Sequence, residues 1–433
     1  MPAPKLDLHP PAPNSLRETR IGEKTVEALM LKFFKQDGVL SLQQLADRMR
    51  LGGNVLEPFL ESLKDRKLVD LYRPGHYDLT ARGRELAAVF EKEDAYVGPA
   101  PVSFRDYYEM VLRQAERSRR VTMDEVREAF RELVIDEELL YILKEGFNSQ
   151  RVMLLYGPPG NGKTTATGCL HNLLREPVLL PYAFEFNGKA VQYFDPAFHQ
   201  PLEEEDGGGA KGVLRAAALR EQLDRRWLVC QAPLVVVGTE FRVEHFEISY
   251  DGIYHAPPHV KANNGIFVFD DLGRQAEDPT TILNQFIFPL ENQEAIVKFG
   301  GGSSFRAPYK QHLLLSTNLD KDEIIDDAFK RRLLYQVLVE RPTREGFKEI
   351  FKFVARANGI EDEGVCQRYA DLLLEWLERD GRLIRGCDPR NIFIMLQASL
   401  DEGETLAQKL TPELFERIYH QYPVAYAREE VAA

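Results

Sequence analysis

A glycine-rich loop is the part of the sequence with the clearest capacity for chemistry. It consists of Gly157, Pro158, Pro159, Gly160, Asn161, Gly162, Lys163 and Thr164, followed by Thr165. Glycines let backbone N–H groups turn toward phosphate oxygens, Lys163 can reach the outer phosphates, and the Thr164 hydroxyl can ligate Mg²⁺. The loop therefore predicts a binding site for ATP and Mg²⁺.

The sequence on either side of this loop provides elements that can position it. Residues 152–156 form a short apolar run typical of a buried parallel strand, and the sequence from Thr165 onward is helical. A phosphate loop requires a strand before it and a helix after it, because the helix N-terminus adds positive potential at the phosphates. This context agrees with the prediction.

Two consecutive carboxylates follow a second apolar run, at residues 266–269. They are Asp270, which we expect to hold Mg²⁺ through water, and Asp271, which we expect to activate the attacking water. A solvated acidic turn is the alternative interpretation of the pair.

Polar and basic residues that could complete such a site occur further along the chain. Asn318 comes just after a third apolar run, and its amide can orient a water beside the γ-phosphate. Residues 326–333 are expected to form one helix. Three arginines lie on predicted helices: Arg331, Arg332 and Arg390. Taken alone, an arginine pair on a helix is usually a solvated face.

Taken together, these motifs occur in the order found in AAA+ ATPases, and the resemblance covers residues 130–425. It implies that Asn318 is sensor 1, that Arg332 or Arg331 is the arginine finger, and that Arg390 is sensor 2. Most members of the family carry Glu, one methylene longer, at the position of Asp271. The finger acts on the γ-phosphate held by the neighbouring subunit, so the resemblance implies a homo-oligomer, commonly a hexameric ring.

Two apolar residues before the loop, Val134 and Ile135, resemble the stretch that contacts adenine in this family. The alternative is that both are ordinary core residues.

Composition limits the classes of function. The chain has 433 residues, 44% hydrophobic and 28% charged, with a formal net charge of −13. That charge weighs against a general nucleic-acid coat. The four cysteines are far apart, which favours a reducing, cytoplasmic setting over a disulfide framework. No apolar run has the length of a membrane span, so we expect no membrane association.

The pattern along the chain predicts an α/β fold of the AAA+ phosphate-loop type in several domains. The expected organisation is a disordered Pro-rich tail (1–21), a winged-helix-like domain (22–92), a helical linker (93–129), a nucleotide-binding domain with β insertions (130–340) and a helical lid (341–433). The winged-helix resemblance rests on three helices followed by a hairpin, with a turn at residues 73–75.

Two insertions are expected in the nucleotide-binding domain. The first, between Lys163 and Asp270, contains an acidic glycine-rich loop at 203–209 and strand-like sequence at 234–237 and 241–250. The second, residues 294–308, reads as a β-hairpin with a glycine tip. It resembles the pore-facing hairpin before sensor 1 in the clade that includes MoxR-like chaperones. An ordinary surface hairpin is the alternative.

The core motifs also resemble a group of prokaryotic predicted ATPases with chaperone activity, which implies a machine that remodels an unidentified protein client. The alternative is a DNA-associated motor anchored by the winged helix. The third helix mixes acidic with basic residues, and carboxylates there are unfavourable for phosphate contacts. They are Glu57, Glu61 and Asp65. DNA binding is therefore the less favoured hypothesis. A third hypothesis, a nucleotide-gated scaffold without turnover, is disfavoured because the sequence contains the complete set of catalytic residue types.

Overall fold

In a computed structural model of the chain, the structure describes residues 8–202, 222–299 and 302–422. They divide into two compact units. The first runs to Arg119 and also contains Leu174–Val268 and Gln275–His312, whereas the second contains Arg120–Leu173, Phe269–Arg274 and the chain from Leu313 onward. The acidic loop expected at 203–209 and the first two glycines of the expected hairpin tip lie outside the described residues.

The N-terminal part of the first unit consists of helices and a small antiparallel sheet. Its elements are α1 (Leu16–Thr19), α2 (Glu23–Asp37), β1 (Leu40–Ser41), α3 (Leu42–Met49), α4 (Gly53–Asp65), β2 (Val69–Arg73), β3 (His76–Leu79) and α5 (Ala81–Glu93). The strand order is β1-β3-β2. Ser41 and Gln44 form a capping box that fixes the start of α3. Three helices followed by a hairpin are present here, and the winged-helix assignment itself stays a prediction.

The expectation of a disordered tail is wrong from residue 8 onward. The backbone N–H of Ala12 donates to the carbonyl of Gln222 over 2.9 Å, and the carbonyl of Pro10 accepts from Asp224 over 2.8 Å. The Ser15 side chain caps α1. Prolines fix an extended backbone that cannot form a helix, but the remaining N–H and C=O groups can still pair with a neighbouring segment.

The next elements lead to the glycine-rich loop and through the first insertion. They are β4 (Val102–Ser103), α6 (Phe104–Glu116), α7 (Met123–Ala129), α8 (Glu137–Ser149), β5 (Met153–Tyr156), α9 (Lys163–His171), β6 (Val178–Pro181), β7 (Ala183–Phe186), β8 (Lys189–Gln192), β9 (Trp227–Cys230), β10 (Leu234–Val237), β11 (Ser249–Tyr250) and β12 (Tyr254–His255). Residues 241–250, expected to be strand-like, form instead a 3₁₀ turn, Val243–Phe246, before the short β11.

The remaining elements complete the sheet and form the helical region. They are α10 (Pro258–Lys261), β13 (Ile266–Phe269), α11 (Pro279–Asn292), β14 (Glu294–Phe299), β15 (Ser303–Pro308), β16 (His312–Thr317), α12 (Lys321–Ile324), α13 (Asp327–Lys330), β17 (Tyr335–Leu338), α14 (Arg344–Ala357), α15 (Glu363–Arg379), α16 (Asp388–Ala398), α17 (Leu406–Lys409) and α18 (Pro412–Gln421). The single helix expected over 326–333 is wrong, because α13 ends at Lys330 and the chain turns there, with the Arg332 N–H bonded to the carbonyl of Phe329.

Three parallel strands of the second unit position the predicted site. Their order is β16-β5-β17, so β5 lies between two strands that come much later in the chain, and in the first unit β10 is the neighbour of β13. β16 and β17 both pair with β5 in parallel, with Thr317 opposite Tyr156 on one side and Leu338 opposite it on the other. β13 and β16 are buried along their whole length. Carboxyl ends of parallel strands meet at one edge, which brings the loops after β5 and β16 together.

Helices α14 to α18 pack into a separate hydrophobic core within the second unit. Seven aromatic side chains of this core are fully or nearly buried: Phe347, Phe351, Tyr369, Phe393, Phe415, Tyr419 and Tyr422. The amphipathic α14 buries Phe347, Phe351 and Ala355 at helical spacing. The α/β fold predicted from the sequence, with parallel strand pairing beside the glycine-rich loop and a C-terminal helical region, is confirmed.

The second insertion is a β-hairpin, as predicted, in which β14 and β15 pair from Glu294 opposite Pro308 to Phe299 opposite Ser303. In the first unit one of its faces is buried among aromatic rings of α6 and β7, with the centroids of Phe186 and Phe305 4.4 Å apart. All four cysteines are free thiols. Among the described residues, none of the helices has the length and apolar character that would be needed to cross a bilayer.

Candidate nucleotide site

The glycine-rich loop has the backbone that its sequence predicts. Gly157, Gly160 and Gly162 have φ angles of 131°, 81° and 95°, a region that side chains with a Cβ rarely adopt. Space is also restricted, because a Cβ on Gly160 would come within 2.7 Å of the Cys387 sulfur. Gly162 is the N-cap of α9, so the helix begins at Lys163, two residues earlier than expected, and its first N–H groups lie at the loop.

Lys163 is buried, with 6% of its surface exposed. Its ammonium group donates to the carbonyl oxygens of Gly157 and Pro158 over 2.7 and 2.9 Å. Burial lowers the pKa of Lys163, and the negative charges of Asp270 and Asp271 oppose that shift. The lysine and both predicted carboxylates therefore share one electrostatic environment.

The turn after β13 holds Asp271 in an unusual backbone conformation. Its φ angle is 51°, in the left-handed region, and its N–H donates to the side chain of Asp270 over 3.0 Å. Left-handed non-glycine residues recur at functional sites. Two further bonds fix the turn to the end of β16: the Leu272 N–H donates to the carbonyl of Ser316, and the Thr317 hydroxyl donates to the carbonyl of Leu272, both over 2.8 Å.

Asn318 follows directly after this anchor and contacts the predicted base. Its amide nitrogen donates to a carboxylate oxygen of Asp271 over 2.6 Å. Asp270, Asp271 and Asn318 are all half-buried. The second unit thus brings together the lysine, both carboxylates and the amide that the sequence singled out.

The residues present fit a Mg²⁺–nucleotide. The cradle leaves no space for a Cβ at Gly157 or Gly160, and the N-terminus of α9 presents backbone N–H groups to an anion. Thr164 and Thr165 are exposed at that helix end, where a hydroxyl can serve as a metal ligand. Asp270 supplies the carboxylate oxygen that Mg²⁺ prefers.

The predicted arginines differ in exposure. Arg331 is exposed, whereas Arg332 is half-buried and donates to the carbonyl of Ala328 over 2.6 Å. Arg390 lies in the first turn of α16 and is exposed. The roles of all three stay predictions.

Of the two apolar residues expected at adenine, Val134 is exposed and Ile135 is half-buried. A Cβ placed on Gly346, in the first turn of α14, would lie 3.6 Å from a methyl group of Val134. Val134 is therefore not a core residue, and a contact with adenine stays a prediction for both.

Sequence reasoning missed the three residues that contact the loop from the helical region, Arg385, Gly386 and Cys387. The Cys387 N–H donates to the carbonyl of Gly160 over 2.9 Å, and the Gly386 N–H donates to the side chain of Asn161 over 3.3 Å. The sequence signal for this contact is Gly386, two residues before the Asp-Pro start of α16.

Comparison with known proteins gives matches only among solved structures. No family model matches the chain, and no curated protein does. NtrX from Brucella abortus is 15% identical with a TM-score of 0.35, and the match covers 79% of this chain and 63% of that one. This chain thus spans less than two thirds of NtrX.

Two further structures have similar scores. A mutant of RuvB from Thermogota maritima is 12% identical with a TM-score of 0.36, covering 67% of this chain and 70% of that one. PCH-2 from C. elegans is 14% identical with a TM-score of 0.34, covering 69% and 72%. Likeness of this degree carries no argument about activity, so the proposed roles rest on the residues of this chain.

Proposed function

We propose that this protein is a Mg²⁺-dependent ATP hydrolase of the AAA+ type. The observation that carries the proposal is the contact between Asn318 and Asp271, in the same electrostatic environment as Lys163. The amide holds the Asp271 carboxylate in one orientation, and a carboxylate fixed in this way beside a phosphate loop is suited to activating water.

In this proposal the loop from Gly157 to Thr165 holds the phosphates through backbone N–H groups, and the Lys163 ammonium moves from the carbonyls of Gly157 and Pro158 to the phosphate oxygens. Thr164 and Asp270 would hold Mg²⁺, which when bound neutralises charge on the phosphates. Val134 and Ile135 would contact adenine.

Asp271 is the proposed general base. It accepts the proton of the attacking water, and the Asn318 amide orients the carboxylate through its donated hydrogen bond. Asp is one methylene shorter than Glu, so the base depends on the turn after β13 for its reach. The bonds from Leu272 and Thr317 to the end of β16 fix that turn.

The proposed enzyme works as a homo-oligomeric ring, commonly of six, in which one subunit completes the site of the next. An arginine that acts in trans must point away from its own subunit's core, and Arg331 and Arg332 follow the end of α13 at or near the surface. Arg390 is proposed to act within its own subunit as sensor 2. Four free thiols fit a reducing cytoplasm.

We propose a protein client rather than DNA. The exposed side of α4, the third helix of the winged-helix-like region, carries three carboxylates at four-residue spacing, Glu57, Glu61 and Asp65. These would repel phosphates in a major groove. The outer face of the β14–β15 hairpin exposes Ile296 opposite Arg306, a surface suited to polypeptide contact in the manner of MoxR-like chaperones.

The test combines two measurements on the full chain. Phosphate release should require Mg²⁺ and should rise more than linearly with protein concentration, as expected when sites complete each other. Fluorescence anisotropy with labelled duplex DNA at low salt should show no binding, whereas a salt-sensitive signal would favour the DNA alternative. A rate of hydrolysis that is proportional to protein concentration, together with a particle mass that ATP does not change, would contradict the ring.

A further inference from the structure

A short segment of the helical region lies against the phosphate loop. We call residues Arg385, Gly386 and Cys387 the strap. The Cys387 N–H donates to the carbonyl of Gly160 over 2.9 Å, and the Gly386 N–H donates to the Asn161 side-chain oxygen over 3.3 Å. Asn161 also donates its amide to the carbonyl of Pro158 over 3.3 Å. The Asn161 side chain thus bonds both to another residue of the loop and to the strap.

The strap is held from its other side by a buried carboxylate. Asp388 is 4% exposed, and one of its oxygens accepts the Arg385 N–H over 3.0 Å. The other oxygen accepts a hydrogen bond of 2.8 Å from the Tyr422 hydroxyl. The oxygen of that hydroxyl accepts a second hydrogen bond, of 3.1 Å, from the side-chain amide of Asn391. Hydrogen bonds therefore connect Tyr422, beyond the end of α18, to the loop through Asp388 and the strap.

The direction of these bonds decides what the strap can do. In both contacts the strap donates and the loop accepts, so the strap uses none of the loop N–H groups that would hold phosphates. Strap and phosphates can bind the loop together. The approach at Gly160 is so close that a Cβ there would reach the Cys387 sulfur. The strap thus supports the loop in a defined shape before the ligand arrives, which lowers the entropy cost of binding.

We propose that Asn161, Asp388 and Tyr422 are positioning residues that hold the strap on the phosphate loop and so set the affinity for ATP. This rests on the proposed function, and it gives the Asn161 side chain a role distinct from contact with phosphate. The helical region then influences nucleotide affinity through backbone contacts of the strap, a route distinct from the proposed sensor 2 side chain of Arg390.

The test compares single-group removals in the full chain. Asn161→Ala removes the side-chain acceptor, and Tyr422→Phe removes one hydroxyl at the far end of the same chain of bonds. The matched control is Tyr419→Phe, because the Tyr419 hydroxyl also donates to a carboxylate of the helical region, Asp380, over 2.7 Å, but does not contact the strap or its supports. For each protein one measures KM and kcat for ATP hydrolysis, direct ATP affinity by calorimetry, and the thermal midpoint.

We expect Asn161→Ala and Tyr422→Phe to raise KM and the dissociation constant of ATP about three- to ten-fold, as loss of one hydrogen bond allows, with kcat changed less than about two-fold. Tyr419→Phe should keep the wild-type KM even if its thermal midpoint falls. Asp388→Asn, which can still accept the Arg385 N–H, should keep KM closer to wild type than Asp388→Leu.

Two results would overturn the inference alone, with the wild type still hydrolysing ATP: a wild-type KM in both test variants, or an equal rise in the Tyr419→Phe control. A wild-type protein that neither binds nor hydrolyses ATP would overturn the proposed function, and the inference with it.

Discussion

The side-chain amide of Asn318 donates a 2.6 Å hydrogen bond to the carboxylate of Asp271. The two residues follow different strands, β16 and β13, and meet because Leu272 and Thr317 bond the strand ends to each other. This contact orients the proposed base, and its removal should affect the chemical step more than nucleotide binding.

Asn318→Ala should lower kcat about 100-fold, because a base that is no longer held can be displaced by an ångström or more, and should change the dissociation constant of ATP little. Steady-state kinetics with calorimetric binding measures both. Asn292→Ala, which removes an exposed amide at the end of α11, is the control and should behave as wild type. An Asn318→Ala protein with full kcat would show that the contact is structural only.

Arg331 and Arg332 should differ in a mixing experiment. The arginine that acts in trans should, when replaced by Ala, leave ATP binding intact and reduce hydrolysis, and activity should recover partly on mixing with Asp271→Asn subunits. Recovery is expected because the mixed interface pairs an intact finger with an intact base. Phosphate release at varied mixing ratios measures it.

The arginine without the trans role serves as the control in that experiment, since its variant should show no recovery. Absence of recovery for both arginines would contradict catalysis between subunits.

Stability of the first unit should fall in mild acid because of buried His199. Burial lowers the pKa of His199 from its ordinary 6.5 to about 4. Its Nδ1 accepts the Asp195 N–H over 3.0 Å and its Nε2 donates to the carbonyl of Lys261, so a second proton has no acceptor. Between these pH values the unfolded chain binds the proton and the folded chain does not. The contribution of His199 to stability is therefore complete above pH 6.5 and is lost at about 1.4 kcal/mol per pH unit as pH falls toward 4.

Urea unfolding at pH 7.5 and 5.0 measures this loss. His199→Gln should reduce the difference between the two pH values by about 2 kcal/mol, whereas His420→Gln, at an exposed position on α18, should leave it unchanged. His259 and His312 are also buried, with pKa values lowered to about 3 and about 4, so part of the acid sensitivity should remain. An unchanged difference in His199→Gln would refute the assignment.

A buried ion pair in the first insertion also contacts the backbone just before β4. Arg226 and Asp224 are each 3% exposed and are joined by a two-pronged contact of 2.9 and 2.7 Å, and Arg226 also donates to the carbonyl of Pro101. Asp224→Ala should lower the free energy of unfolding by about 3–5 kcal/mol, because it leaves a buried guanidinium without its partner.

Replacing both members of that pair, as Asp224→Leu with Arg226→Met, should cost much less than the single change. Chemical denaturation of the two variants makes the comparison, and Asp124→Ala, which removes an exposed partner of Arg127, should have little effect. If the double variant were as unstable as Asp224→Ala, the pair would stabilise the fold in itself, beyond each residue neutralising the buried charge of the other.

Local sequence was sufficient for the parts of the site that depend on short-range pattern. Positive-φ glycines, an apolar strand and a following helix are adjacent in the chain, so the loop at Gly157–Thr164 could be predicted residue by residue. The same holds for Asp270 and Asp271 at a strand end and for the hairpin of β14 and β15.

Contacts between distant segments could not be predicted in this way. The strap meets Gly160 across more than two hundred residues, and its bonds come from backbone N–H groups, which carry no residue-specific signal. The pairing of Pro10 and Ala12 with residues 222–224 was missed for the same reason, since a Pro-rich segment looks disordered until a partner backbone is known. The helix expected over 326–333 ends early because Leu333 is buried as the chain turns toward β17.

The proposed nucleotide site is tested by the binding of Mg²⁺–ATP to the wild type and to Lys163→Ala, measured by isothermal titration calorimetry with thermal midpoints to confirm folding. We expect saturable binding by the wild type and none by folded Lys163→Ala, because the loop then lacks its only ammonium group. Equal affinity in the two proteins would contradict it.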